Sequence, residues 1–323
     1  MIRARGLART FTTRRGAVHA VQGVDLDVAR GEVVGFLGPN GAGKTTTMRM
    51  LTTLLAPTAG EAQVVGCDLR TDPVGVRRRI GYVPQSGSSS PEARVGEELV
   101  DHAALYGIPK ATGKARGQEL FSRLDLDGVW DRTVRTLSGG QRRRLDIAKG
   151  LVHDPELVFL DEPTTGLDPQ SRANLWTHIS GLRDTHGTTV FLTTHYLDEA
   201  DALCDRILVI DHGSIVAEGT PDALKQRVSG DAVELELDDA SRTGDALALV
   251  RALQGATDAV VDTSGATPRV RVRVPSGGRA LPGLLRQLDA AGVALAAVDV
   301  RRPTLDDVFL EMTGRSLREG GEG

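Results

Sequence analysis

Cysteine is scarce in this 323-residue chain, which has only Cys67 and Cys204, without CxxC spacing. That excludes a disulfide framework or a zinc cluster; both thiols are expected to be small, buried and inert. Aromatics make up 3% of residues and the formal net charge is -4. The chain therefore lacks a base-stacking platform and a global basic field, and no nucleic-acid partner is expected. Long apolar runs are also missing: Leu157–Leu160 and Val293–Val298 are strand-like and far shorter than a membrane span. Met1-Ile2-Arg3-Ala4-Arg5 leads into polar residues rather than an apolar leader, which predicts a cytoplasmic protein.

What is present suits a globular protein of two domains, with 40% hydrophobic and 25% charged residues. To about residue 225 the pattern is β, then alternating β and α. Strand-like pieces at 2–11 and 17–28 flank a turn at Arg14-Arg15-Gly16, and Val33-Val34-Gly35-Phe36-Leu37 reads as a buried strand. Helical patterns follow at 43–54, 96–107, 114–125, 139–152 and 170–185, with further buried strands at Leu157–Leu160 and Thr189–Thr193. The alternation predicts an α/β fold with a parallel sheet covered on both faces. From about 230 the order changes to β-α-β-β-α-β, which predicts a small ferredoxin-like α+β domain. The boundary is set as residues 1–228 and 229–323. A last helix at Thr304–Thr313 opens on a threonine cap, and the glycine-rich end after Gly314 is expected to fray.

Gly38-Pro39-Asn40-Gly41-Ala42-Gly43-Lys44-Thr45 fits G-x-x-x-x-G-K-[ST] between an apolar strand and a helical segment. Glycines let backbone N–H groups turn inward as an anion nest at a helix N-terminus. Lys44 is placed to meet the β- and γ-phosphates, and Thr45 to offer its hydroxyl to Mg²⁺. Leu157-Val158-Phe159-Leu160 then delivers Asp161 and Glu162 at a strand end. There Asp161 suits a Mg²⁺ ligand and Glu162 a general base toward water. Leu137-Ser138-Gly139-Gly140-Gln141 opens a helix and makes a second phosphate-facing surface, without a lysine. Two half-sites therefore lie on one chain.

These motifs, in this order over roughly residues 2–225, resemble the ABC ATPase family closely. Gly38–Thr46, including Thr46, looks like Walker A, and Gln85 in Tyr82-Val83-Pro84-Gln85 resembles the Q-loop glutamine. Ser138, Gly139, Gly140 and Gln141 look like the signature, and Asp161 and Glu162 like Walker B and its catalytic glutamate. Gly166-Leu167-Asp168 resembles the D-loop, and His195 the switch histidine. The resemblance implies a P-loop NTPase core with an antiparallel β subdomain and a helical signature subdomain. It implies ATP and Mg²⁺ as ligands, with Thr45, Gln85 and Asp161 at the metal and Glu162, His195, Lys44 and Gln85 in hydrolysis. It also implies a head-to-tail homodimer on the cytoplasmic face of the membrane, bound to a separate permease. Phe11 is in position to stack on adenine, with Val18 beside it.

The C-terminal Arg302-Pro303-Thr304-Leu305-Asp306-Asp307-Val308-Phe309-Leu310 and the Thr193–Ala200 segment are similar to daunorubicin-resistance-type exporter ATPases. Export of drugs or antibiotic-like compounds is thus the expected role; an importer ATPase would keep the same catalytic residues. A soluble ABC protein acting on ribosomes or DNA generally carries two cassettes or a long coiled coil. This chain has one P-loop and no sustained heptads. The segment Ser86–Pro91 reads as more polar and flexible than a surface gripping a membrane subunit, leaving the Gly96–Gly107 helix as the expected docking surface. Arg77–Arg79 and Arg142–Arg144 read as solvated helix faces, and Val270–Val274 as a half-buried strand with its arginines in water.

Overall fold

Strands without a polar side chain must be covered on both faces, and that requirement sets the layout. The computed structural model describes residues 1–14, 16–87, 89–228, 230–262 and 267–314. Arg15, Ser88 and the segment after Gly314 lie outside them. The chain divides into two compact units, the first Met1–Pro221 and the second beginning at Asp222.

The first unit runs β1 (Ile2–Thr13), β2 (Gly16–Val28), β3 (Val33–Leu37), α1 (Lys44–Leu51), β4 (Ala59–Val64), β5 (Cys67–Asp68), α2 (Pro73–Arg79) and β6 (Ile80–Val83). It continues with α3 (Val95–Leu105), α4 (Lys110–Arg123), α5 (Gly139–Leu151), β7 (Leu157–Asp161), α6 (Pro169–His186), β8 (Thr189–Thr194), α7 (Leu197–Leu203), β9 (Arg206–Asp211) and β10 (Ser214–Gly219). The central sheet has the order β10-β9-β3-β8-β7-β6. Its strands from β9 to β6 are parallel, with β10 antiparallel at one edge. Every residue of β3, β7 and β8 is buried. Phe159 and Phe191 pair across β7 and β8, and Phe36 meets Phe191, each with ring centroids 5.6 Å apart. Burying one such ring contributes about 1.5–3 kcal/mol.

A second, antiparallel sheet, β2-β1-β4-β5, shares this core. Ile2, Ala4, Leu7, Leu26 and Val64 pack in one cluster with Met48, Met50 and Leu51 of α1 and Phe36 of β3. Helices α3, α4 and α5 form the helical part, where Phe121 and Trp130 pack at 5.0 Å. The expected antiparallel and helical subdomains are thus both present. Each cysteine is a buried free thiol.

The second unit contains α8 (Pro221–Arg227), β11 (Asp231–Leu237), α9 (Thr243–Arg251), β12 (Thr257–Asp262), β13 (Arg269–Val274), α10 (Gly277–Ala290), β14 (Leu295–Arg301) and α11 (Leu305–Thr313). Its antiparallel sheet, β12-β13-β11-β14, has the expected ferredoxin-like order. Alternation along β11 and β13 sends Val233, Leu235, Leu237, Val270, Val272 and Val274 to a core with Val250, Leu284 and Leu288. Thr304 caps α11 in a reciprocal box with Asp307. One expectation fails here. Arg273 is not in water: its side chain is 14% exposed and pairs with Asp307, while Arg271 lies 3.8 Å from the same carboxylate.

Gly35 sits inside β3 where a Cβ would fall 2.5 Å from Cys204 Sγ. Gly35→Ala should therefore destabilise the protein by about 1–3 kcal/mol, the usual cost of overpacking. In a Cys204→Ala background the same change should cost less, because the clashing sulfur is gone. Denaturant melts of the four proteins check this; an equal cost in both backgrounds would contradict the contact.

Candidate functional site

Three neighbouring parallel strands end on one edge of the sheet, and each hands over part of the site. The loop after β3 turns into α1 through Gly43, whose φ is 106° and whose Cβ would fall 2.5 Å from the Ala20 carbonyl. Only glycine holds that backbone without strain. Lys44, 4% exposed, donates to the carbonyls of Gly38 at 2.7 Å and Pro39 at 3.1 Å, and lies 3.4 Å from Glu162. Burial lowers the Lys44 pKa against the opposing pull of Glu162 and Asp161.

At the end of β7, Asp161 accepts from the hydroxyls of Thr193 at 2.7 Å and Thr45 at 3.1 Å. A carboxylate and a hydroxyl converging this way are hard oxygen donors. They suit Mg²⁺, which takes few protein ligands and keeps water and phosphate oxygens. Glu162 follows with φ 44°, a left-handed backbone that costs a non-glycine residue about 1–3 kcal/mol. Thr193 restrains it: the Glu162 N–H donates to the Thr193 hydroxyl at 3.0 Å and its carbonyl at 3.2 Å. The carboxylate accepts from Gln85 at 2.9 Å and Thr165 at 3.1 Å, with His195 Nδ1 3.3 Å away. Burial opposes its ionisation, but His195, the Lys44 charge and the Thr165 hydroxyl together hold its pKa at about 2.

The groups expected at one reaction centre therefore meet: Lys44, Thr45, Gln85, Asp161, Glu162 and His195. A cleft of about 340 Å³ is lined by Ala20, Pro39, Asn40, Gly41, Gly43, Lys44, Thr45, Thr46, Gln85 and Glu162. Gly38 and Ala42 lie in the same loop. Phe11 and Val18 pair in register across β1 and β2, outside that lining. Phe11 is half-buried with the Arg9 guanidinium over its ring at 4.7 Å, so one face is taken.

Ser138, Gly139, Gly140 and Gln141 do not line the cleft. They start α5, where Ser138 and Gln141 form a reciprocal capping box of 3.1 and 3.0 Å. Ser138 and Gly139 are exposed. Asp168, in the D-loop position, caps α6 by accepting from Ser171.

The structure adds residues that spacing did not reveal. Arg142–Arg144 is not a solvated face: Arg142 is exposed, but Arg143 is 7% exposed and donates to the carbonyls of Pro84, Asp161 and Pro163. The periodicity of α5 carried no such signal, because almost all of the helix beyond Arg144 is buried, Asp146 and Lys149 included. The segment after Gln85 is also anchored. Lys149 donates to the Ser89 hydroxyl and to Glu98, each at 3.0 Å, and Glu98 accepts from the Ser90 N–H.

Glu199 on α7 is fully buried beside Trp176, whose indole donates at 3.3 Å, and burial raises its pKa. A carboxyl whose pKa is raised by folding favours the folded state at low pH. That contribution is lost as pH rises from the unfolded value of 4.5 through the raised folded one. As pH rises above 4.5, melting temperatures should fall less steeply for Glu199→Gln than for wild type. Identical slopes would contradict a raised Glu199 pKa.

Residues 21–165 match the family described as ABC transporter, and residues 219–313 match that described as ATP-binding protein DrrA1-3-like, C-terminal domain. The chain is 46% identical to the daunorubicin resistance ATP-binding protein DrrA3 of Streptomyces coeruleorubidus, over 94% of each chain. It is 43% identical to the daunorubicin/doxorubicin resistance ATP-binding protein DrrA of Streptomyces peucetius, over 99% of this chain and 96% of that one. A dimeric ATP-binding cassette in a post-hydrolysis state, bound to ADP and Pi, superposes with a TM-score of 0.63 at 25% identity, covering 68% of this chain and 98% of the other. Among the described residues no helix is long and apolar enough to cross a membrane. With its phosphate loop, buried acidic pair and these relatives, the chain belongs to the ATP-binding, ATP-hydrolysing subunits of ABC transporters, with a DrrA-like C-terminal domain.

Proposed function

We propose that this subunit powers export of drugs or antibiotic-like compounds through a separate membrane permease, which it meets on the cytoplasmic face. The names of its drug-resistance relatives support that substrate class. Residues 1–228 act as the nucleotide-binding domain and 229–323 as an accessory domain. The observation that carries the catalytic reading is the convergence of Lys44 and His195 on one carboxylate, Glu162.

In this reading the Gly38–Thr46 loop holds the ATP phosphates through its backbone donors, with Phe11 and Val18 at the adenine. Thr45 and Asp161, joined by Gln85, would hold Mg²⁺, which would supply charge neutralisation to the phosphates. Glu162 takes the proton of the attacking water, and Gln85 orients that water. Lys44 and His195 contribute positive charge and a hydrogen bond where negative charge grows on the γ-phosphoryl group. Together with the Thr165 hydroxyl, the same two groups hold Glu162 at a pKa of about 2, too low for an efficient base. As they turn to a γ-phosphate, the carboxylate keeps Gln85 and Thr165 but loses its two cationic partners, and becomes more basic. Base strength is thereby tied to nucleotide occupancy. The signature, outside the cleft of its own chain, completes the site of a second copy in a head-to-tail homodimer.

Glu162→Gln should keep ATP affinity and slow hydrolysis by at least about 100-fold, the scale of a lost general base. Lys44→Ala should lose tight ATP binding or turnover. Equilibrium binding and phosphate release on the purified full chain check both. Wild-type turnover in either variant would overturn the assigned role.

A further inference from the structure

We propose that Arg143 is a positioning residue for hydrolysis, holding Glu162 and Gln85 in place from the signature helix; this rests on the base role of Glu162 proposed above. Arg143 lies one turn into α5, the helix that Ser138 caps. Its guanidinium is buried, and its nitrogens reach backbone oxygens on two different segments. Nε donates to Pro163 O at 2.8 Å, Nη2 to Asp161 O at 2.9 Å, and Nη1 to Pro84 O. Pro163 and Asp161 flank Glu162, and Pro84 immediately precedes Gln85.

The position of those carbonyls separates this contact from ordinary packing. Glu162 holds a left-handed backbone that relaxes unless its neighbours forbid it. Thr193 fixes its N–H, and Arg143 fixes the carbonyls before and after it. One planar group thus spans the strained turn and also ties it to the loop of Gln85, whose amide bonds to the Glu162 carboxylate. Only guanidinium geometry supplies donors in three directions from one plane; lysine is a point charge and glutamine is a shorter amide. Burial lowers the Arg143 pKa, and Asp146 and Asp161 oppose that effect.

The same helix begins with the exposed signature residues. Ser138 and Arg143 are joined by helical backbone, so displacement at the phosphate-facing end is passed to the carbonyls beside Glu162. In a head-to-tail dimer the signature end serves one nucleotide and Arg143 serves the base at the other. Arg143 would couple the two sites.

Full-length Arg143→Gln and Arg143→Lys test this through a KM-against-kcat split, with ATP binding and melting temperature confirming the folded state. Arg143→Gln should lower kcat at least about 10-fold, as misplaced catalytic groups do, while KM for ATP changes less than about 3-fold. Arg143→Lys should recover only a part. In a Glu162→Gln background Arg143→Gln should add less than about 2-fold, because its effect passes through the missing base. An equal loss in both backgrounds, or a raised KM with unchanged kcat, would overturn the proposal. If Arg143→Gln does not fold, the cycle is run with Arg143→Lys. If neither folds, Arg143 is a core strut and the positioning role is wrong. Normal turnover of Glu162→Gln alone would instead sink the base role, which the single variant reports independently.

Discussion

A buried lysine and a buried carboxylate, Lys44 and Glu162, face each other at 3.4 Å at the end of a parallel sheet. Charges removed from water at that depth have to be paired or neutralised. Much of the surrounding architecture answers that demand. Lys44 is shared with loop carbonyls, Glu162 with Gln85, Thr165 and His195, and Asp161 with Thr45 and Thr193. The strands β3, β7 and β8 lie inside the sheet with no exposed residue, and they bring these groups to one edge. Under the proposed function the pairing would also make the site responsive: a polyphosphate chain that drew Lys44 and His195 from the carboxylate would link binding to base strength through the same contacts.

The central strands were legible in the sequence because double burial leaves no polar position in Val33–Leu37 or Leu157–Leu160. The phosphate loop and the acidic pair were legible because their chemistry fixes residue types at fixed spacing. The second unit was readable from the β-α-β-β-α-β order, with strands that alternate as in Val233-Glu234-Leu235-Glu236-Leu237. Other elements were less visible. The short α2 and α7, the inner strand β4 and the edge strands β5 and β10 have mixed burial and little periodicity to detect.

Arg143 and Glu199 escaped for a different reason. A charged residue on a helix reads as solvated until tertiary contacts supply partners, and their partners come from segments distant in the chain. Arg273 repeats the lesson in the second unit, where Asp307 of α11 reaches back to β13. The local sequence carries the hydrophobic half of such faces, while the polar half is decided by the fold.

The central claim is that two half-sites on one chain complete each other across a head-to-tail dimer. Its most direct test is a crosslink. The native thiols are removed with Cys67→Ser and Cys204→Ser, and Asn40→Cys is combined with Ser138→Cys in the Glu162→Gln protein. A disulfide needs α-carbons within roughly 7 Å. With ATP and Mg²⁺ bound, the account predicts a covalent dimer on a non-reducing gel. A bridge formed only within single chains, or no dimer under those conditions, would contradict it.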